Sequence, residues 1–281
     1  MYFDVFKKSW WTLKKNLVLF VPDLAFAIYT LTFGFLFLRI SGILNFIITN
    51  TEIANSEVLL SFLRSNIVTI IISFLIFVVV TFVIGASIVS IKYSMMKSIV
   101  LKKKFSLKSA IKECRKYVLQ VIWLRILVFL VGVIVLFLLG LITQVILSGQ
   151  KNAILISVWI LFALIAFAFI KLLLMFRYPI MFFEGNNALN SIKDSISYFK
   201  KNAKYVFAIF LIIFGVAIIF NLIFIPLNLL IDFGSNFLIK IVGGPIKVAI
   251  VTLSSFIRSL ISLVFIVWAD MFLFFSYKSK R

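Results

Sequence analysis

Six charged residues in or beside long apolar stretches are the first candidates for chemistry in this chain: Asp23, Arg125, Arg258, Asp270, Arg177 and Glu184. An ionisable side chain within an apolar medium is costly, so each one points to a function or to a partner. Asp23, Arg125 and Asp270 each lie about six residues inside their apolar runs, which places all three roughly 9 Å deep. One arginine and two carboxylates at one depth predict an ion network, with Arg125 paired to Asp23, Asp270 or both and lining a polar cavity open to the cytoplasm. The alternative is that each reaches alone to the nearby interface. Arg258 is deeper, and about 18 Å of helix separates it from Asp270. Its candidate partners are Asn221, Asn228 and Gln144 on other helices. Pro226, late in the fifth run, is a candidate kink.

The residue types exclude more than they offer. The chain has no histidine, so Ser–His triads, His-ligated metals and histidine pH switches are absent. Its one cysteine, Cys114, cannot form an internal disulfide. No phosphate-binding or dinucleotide glycine motif appears, nor the paired aspartates of a phosphatidyl-group transferase. No catalytic centre, metal or cofactor is expected.

The elements that must carry these residues are membrane spans. Hydrophobic residues make up 64% of the 281 positions, and mean hydropathy is +1.21. Soluble domains average about 45–50% apolar residues, so apolar surface must face lipid. Six runs are long enough to cross a bilayer, at roughly 17–40, 67–91, 119–147, 153–176, 205–231 and 249–276. The first is too long for the core of a signal peptide and has no clean cleavage site, so it is taken as a retained helix. The net charge of +20 is distributed by side. Of 29 Lys and Arg, 22 fall on the side of the termini, four in the opposite loops, and Arg39, Arg125 and Arg258 within the runs. That asymmetry predicts a cell-membrane protein with both termini cytoplasmic. It also predicts attraction to anionic lipid headgroups and argues against nucleic acid as the partner. Residues 41–66 are expected to include a short interfacial helix. Turns are expected at 148–152 and at Gly243-Gly244-Pro245.

A repeat runs through the cytoplasmic segments. Phe3, Phe6, Trp10 and Leu13 have the spacing of Leu189, Ile192, Ile196 and Phe199, 186 positions later, and Lys-Lys-Asn follows both sets. A weaker copy is Leu107, Ala110, Cys114 and Tyr117. Each gives a helix with one apolar stripe and a basic opposite face. The chain is therefore expected to be all-α, a polytopic bundle of about six transmembrane helices in one domain, built from three units of amphipathic helix and helical hairpin. The stripes either lie in the lipid interface or pack on the bundle.

The stretch Arg177-Tyr178-Pro179 … Glu184-Gly185 … Ala188-Leu189-Asn190-Ser191-Ile192 resembles an Arg–x–Pro, Glu-Gly, Ala-Leu–x–x–Ser pattern. A prokaryotic group of six-helix membrane proteins carries that pattern after its fourth span. The group includes the membrane domain of some glycerophosphodiester phosphodiesterases and stand-alone proteins. Here Ile192 stands where the pattern has its serine. The resemblance implies architecture and transfers no catalysis, because in those enzymes the chemistry belongs to a separate soluble barrel. Physically, Tyr178 before a proline should end the fourth span, Gly185 should cap a helix, and Arg177 and Glu184 should pair across the elbow. That pair is either a structural staple or a headgroup or ligand site.

Three functions remain open: a non-enzymatic protein that organises the bilayer, contacts lipid or binds a protein partner or a second copy of itself; a permease or lipid transporter using Asp23, Arg125, Asp270 and Arg258; and an enzyme acting on headgroups through Asp23, Glu184 and Asp270. The first is preferred.

Overall fold

The computed structural model describes residues 2–49, 56–103, 106–147, 153–241 and 245–281. The expected turns at 148–152 and Gly243-Gly244 lie outside them. Among the described residues every regular element is helical: α1 (Tyr2–Lys15), α2 (Val21–Ile40), α3 (Ile43–Thr49), α4 (Ser56–Val100), α5 (Leu107–Cys114), α6 (Val118–Leu147), α7 (Ala153–Leu173), α8 (Arg177–Glu184), α9 (Ala188–Lys201), α10 (Ala203–Ile241) and α11 (Pro245–Lys280). A 3₁₀ turn, Leu17–Phe20, leads into α2.

Among the described residues six stretches are long and apolar enough to cross a membrane: Leu17–Ile40, Glu57–Val100, Val118–Leu141, Ser157–Glu184, Ala203–Ile239 and Ala249–Lys280. Their apolar side chains mostly face outward. In the most apolar stretch of α4 nothing is buried. Surface of that kind has no place in water and supports a multi-pass membrane protein. Several helices run past the expected ends. α4 covers 45 residues, about 67 Å, and α10 continues through Pro226 to Ile241. Within 41–66 a short helix does form, α3, whereas residues from Ser56 onward already belong to α4.

The chain divides into two compact units. The first comprises residues 1–9, 93–214 and 271–281. Its core is aromatic: the Tyr93 ring lies 4.8 Å from that of Tyr178, 5.6 Å from Phe182 and 5.3 Å from Phe274. Met95, Met96, Leu124, Ile180 and Met181 are buried in the same unit. The second comprises 10–92 and 215–270. There Phe37 meets Phe77 at 5.2 Å, joining α2 to α4, and Phe220 meets Phe265 at 5.6 Å, joining α10 to α11.

Each of the three amphipathic helices, α1, α5 and α9, precedes a pair of long apolar helices, as the repeat requires. Their buried seams share Leu13, Ala110 and Cys114 with the expected stripes and otherwise depart from them. The seams are Val5, Ser9 and Leu13 in α1, Ala110 and Cys114 in α5, and Ala188, Ser191 and Ser195 in α9. Ser9 and Ser195 occupy the same position in the 186-residue repeat. Small side chains let a helix approach closely. The large apolar residues Phe3, Trp10, Trp11, Leu107, Ile111 and Leu189 remain exposed.

Candidate functional site

The second unit holds a buried ion cluster. Lys92 Nζ lies 3.2 Å from Asp23 Oδ2 and 2.8 Å from Asp270 Oδ2. The side chains are 4%, 11% and 19% exposed respectively. Local sequence explains each placement. Pro22 opens α2 and puts Asp23 in its first turn, where the free amides and helix dipole favour a carboxylate. Lys92 follows Ala86 and Ser90, two small buried residues on α4. Asp270 faces it from α11 beside buried Val267 and Trp268. The cluster therefore ties together α2, α4 and α11.

Sequence reasoning placed Asp23 and Asp270 together and chose the wrong cation. Lys92 fills the role assigned to Arg125. Arg125 is half-buried on α6 in the other unit and makes no ion pair among the described residues. Lys92 was missed because the second span was ended at residue 91, which made it a loop cation. α4 continues to Val100, so Lys92 is inside the helix. The signal was its isolation: no other charge lies between Arg64 and Lys97.

Arg258 also has a partner that sequence reasoning overlooked. It pairs with Asp232 of α10, and both side chains are about half-exposed. Asn221 instead bonds the Ala217 carbonyl on its own helix at 2.8 Å. The Gln144 side chain lies outside the described residues.

In the first unit the elbow after α7 takes a different form from that expected. Arg177 and Glu184 do not pair. They begin and end the eight-residue α8, about 10 Å apart along its axis. Arg177 Nη1 donates to the Leu174 carbonyl at 2.9 Å, and its guanidinium lies 4.8 Å from the Tyr178 ring. Glu184 accepts from the Tyr277 hydroxyl. Tyr178-Pro179 does not end a span. The break comes earlier, at 174–176, and Pro179 sits in the first turn of α8, where its missing N–H is no loss. Gly185 caps α8 as expected, with φ +72° and its N–H on the Met181 carbonyl at 3.0 Å. Asn187 then caps α9 by accepting from Asn190 N at 2.8 Å, and Gln120 of α6 accepts from Ala188 N at 3.1 Å. Ser195 donates to the Leu173 carbonyl at 2.8 Å, satisfying an end group of α7. These bonds make the motif a helix junction whose polar groups serve the backbone.

Lys97 of α4 holds α5 and the turn before α6 through Glu113 at 3.0 Å and the Tyr117 hydroxyl at 3.2 Å. Tyr198 is half-buried beside Phe176 and Tyr277, and burial pushes its hydroxyl well above the usual phenol range. Among the described residues no three His, Cys, Asp or Glu side chains converge as metal ligands.

No family model matches this chain, and neither a curated protein nor a solved structure matches it significantly. The geometry of the chain itself therefore carries the functional reading.

Proposed function

We propose that this chain is a non-enzymatic multi-pass protein of the cell membrane, with both termini cytoplasmic, that gathers anionic lipid headgroups around α1, α5 and α9. The resemblance to the six-helix prokaryotic group supports the same architecture. One observation carries the reading. Each amphipathic helix buries only a narrow seam, of small residues in α5 and α9, yet leaves large apolar side chains exposed beside its lysines. Trp10 and Trp11 are 39% and 54% exposed, and Leu189 is 56% exposed. A helix resting only on protein has no use for that second apolar surface. A helix at the bilayer boundary places it among acyl chains and its lysines among headgroups.

Spin labels placed singly at positions 10, 189 and 193, in a Cys114→Ser background, test this reading by power saturation in lipid nanodiscs. Labels at 10 and 189 should collide with oxygen more than with a water-soluble nickel complex, and the label at 193 should do the reverse. Equal access to the nickel complex at all three positions would defeat the proposal.

The Lys92 cluster favours a second reading, transport, because it places three ionisable groups within apolar helices. On that reading a pH step across proteoliposomes gives a charge movement that Asp270→Asn removes. The absence of any such current would exclude the pH-coupled form of it.

A further inference from the structure

The second unit also holds an apolar cavity of about 550 Å³ at the end of α2 remote from Asp23. Leu31 and Phe35 of α2, Leu44 and Ile48 of α3, and Ala249, Leu253 and one polar residue, Thr252, of α11 line it. Its volume lies within the range of small-ligand sites, about 300–1,000 Å³. The short helix α3 is held over α4 by the Phe46–Phe62 ring stack at 4.3 Å. The chain enters α3 through Ser41, buried, and Gly42, at φ +74°. That turn folds α3 back along α2 and shapes one wall of the cavity.

Arg39 supplies charge on the same helical face. Leu31, Phe35 and Arg39 follow one another at intervals of four residues and so share one side of α2. Arg39 is exposed and makes no side-chain hydrogen bond or ion pair among the described residues. About 12 Å of helix separates it from Leu31. A guanidinium is suited to grip a phosphate through two parallel hydrogen bonds.

We propose that one glycerophospholipid occupies this site, with an acyl chain in the cavity and its phosphate on Arg39. The occupant is a lipid because the cavity is apolar and its open charge is positive, the complement of a phosphate attached to a hydrocarbon chain. The site reads the phosphate, so a zwitterionic phospholipid serves as well as an anionic one. It uses none of the residues of α1, α5 or α9 and stands whether or not those helices select anionic lipid.

Native mass spectrometry of the delipidated protein in a non-ionic detergent tests this, with phosphatidylcholine and a diacylglycerol of the same chains as probes. Wild type should retain one phosphatidylcholine at least tenfold more tightly than diacylglycerol. Arg39→Gln should bring the two to equal affinity. Ala249→Phe, which fills the cavity and leaves Arg39 in place, should weaken both. Equal binding of the two lipids by wild type would overturn the proposal, and that comparison needs no variant to fold. Undiminished phosphatidylcholine binding by a folded Ala249→Phe would overturn it too, as would a dimer that replaces the lipid and disappears in Ala249→Phe.

Discussion

Replacing Lys92 by methionine keeps most of the length of the side chain and removes the cation that pairs with both Asp23 and Asp270. Its cost follows from burial. With Lys92 gone, a carboxylate that is 11% exposed must remain charged without its partner or take a proton. An ordinary aspartic acid titrates near 3.9, about three units below neutral, so protonation at pH 7 costs roughly 4 kcal/mol. Breaking buried ion pairs costs about 3–5 kcal/mol in general, which agrees. Asp270 is 19% exposed and partly solvated, so the cost is counted once. At pH 5 the same proton costs only about 1.5 kcal/mol, and the deficit of the variant should shrink accordingly. Thermal unfolding in detergent, followed by the fluorescence of the five tryptophans, reads the difference. At about 2–4 °C per kcal/mol the midpoint should fall by roughly 8–16 °C at pH 7 and by roughly 3–6 °C at pH 5. Adding Asp23→Asn and Asp270→Asn to the variant should recover most of the loss, because the carboxylates that faced Lys92 are then neutral. A deficit below about 1 kcal/mol at pH 7, or one unchanged by pH, would refute the reasoning.

Three further outcomes follow from the first unit. Gly185→Ala should destabilise by about 1–2 kcal/mol, purely through its left-handed backbone, since a Cβ there meets no atom within 4 Å; a deficit near zero in thermal unfolding would remove the cap from the account. Tyr277→Phe should cost about 1.5–3 kcal/mol, the worth of a hydrogen bond to a charged acceptor, and Glu184→Gln should cost no more. Burial pushes the Cys114 thiol above its ordinary range, overcoming the opposing effect of Arg115. A maleimide dye should therefore label the folded protein at pH 7.5 far more slowly than free cysteine, with labelling rising as the protein unfolds; fast labelling of the folded state would show the seam of α5 to be open.

The spans and the amphipathic helices were legible because both rest on periodicity and on length, which are properties of local sequence. The cap at Gly185 was legible for the same reason, since few residues other than glycine adopt φ +72° at low cost. The partners of the charges were not legible. Lys92 and Asp232 were missed through one error: spans were ended where a charge appeared, at residues 91 and 231. A helix continues through a charge when another element neutralises it, as Asp23 and Asp270 do for Lys92 and Arg258 does for Asp232. Depth along a helix can be counted from sequence, but the direction a side chain faces relative to other helices cannot. That is why Asp23 and Asp270 were matched by depth and Arg125 was matched wrongly. The seams of α1 and α9 show the same limit. A stripe of Phe, Trp and Leu predicts an apolar face, but only the fold reveals that Ser9 and Ser195 are buried and Phe3 and Leu189 are not.

The most direct test of lipid gathering is the selectivity of the lipid shell, measured with spin-labelled phosphatidylglycerol and phosphatidylcholine in reconstituted membranes. Each Lys or Arg near an anionic surface contributes about 1 kcal/mol, and salt screens it. The account predicts a larger immobilised fraction for phosphatidylglycerol, declining towards that of phosphatidylcholine as salt rises or when Lys14, Lys112 and Lys200 are replaced by glutamine. Equal immobilised fractions for the two lipids at low salt would contradict it.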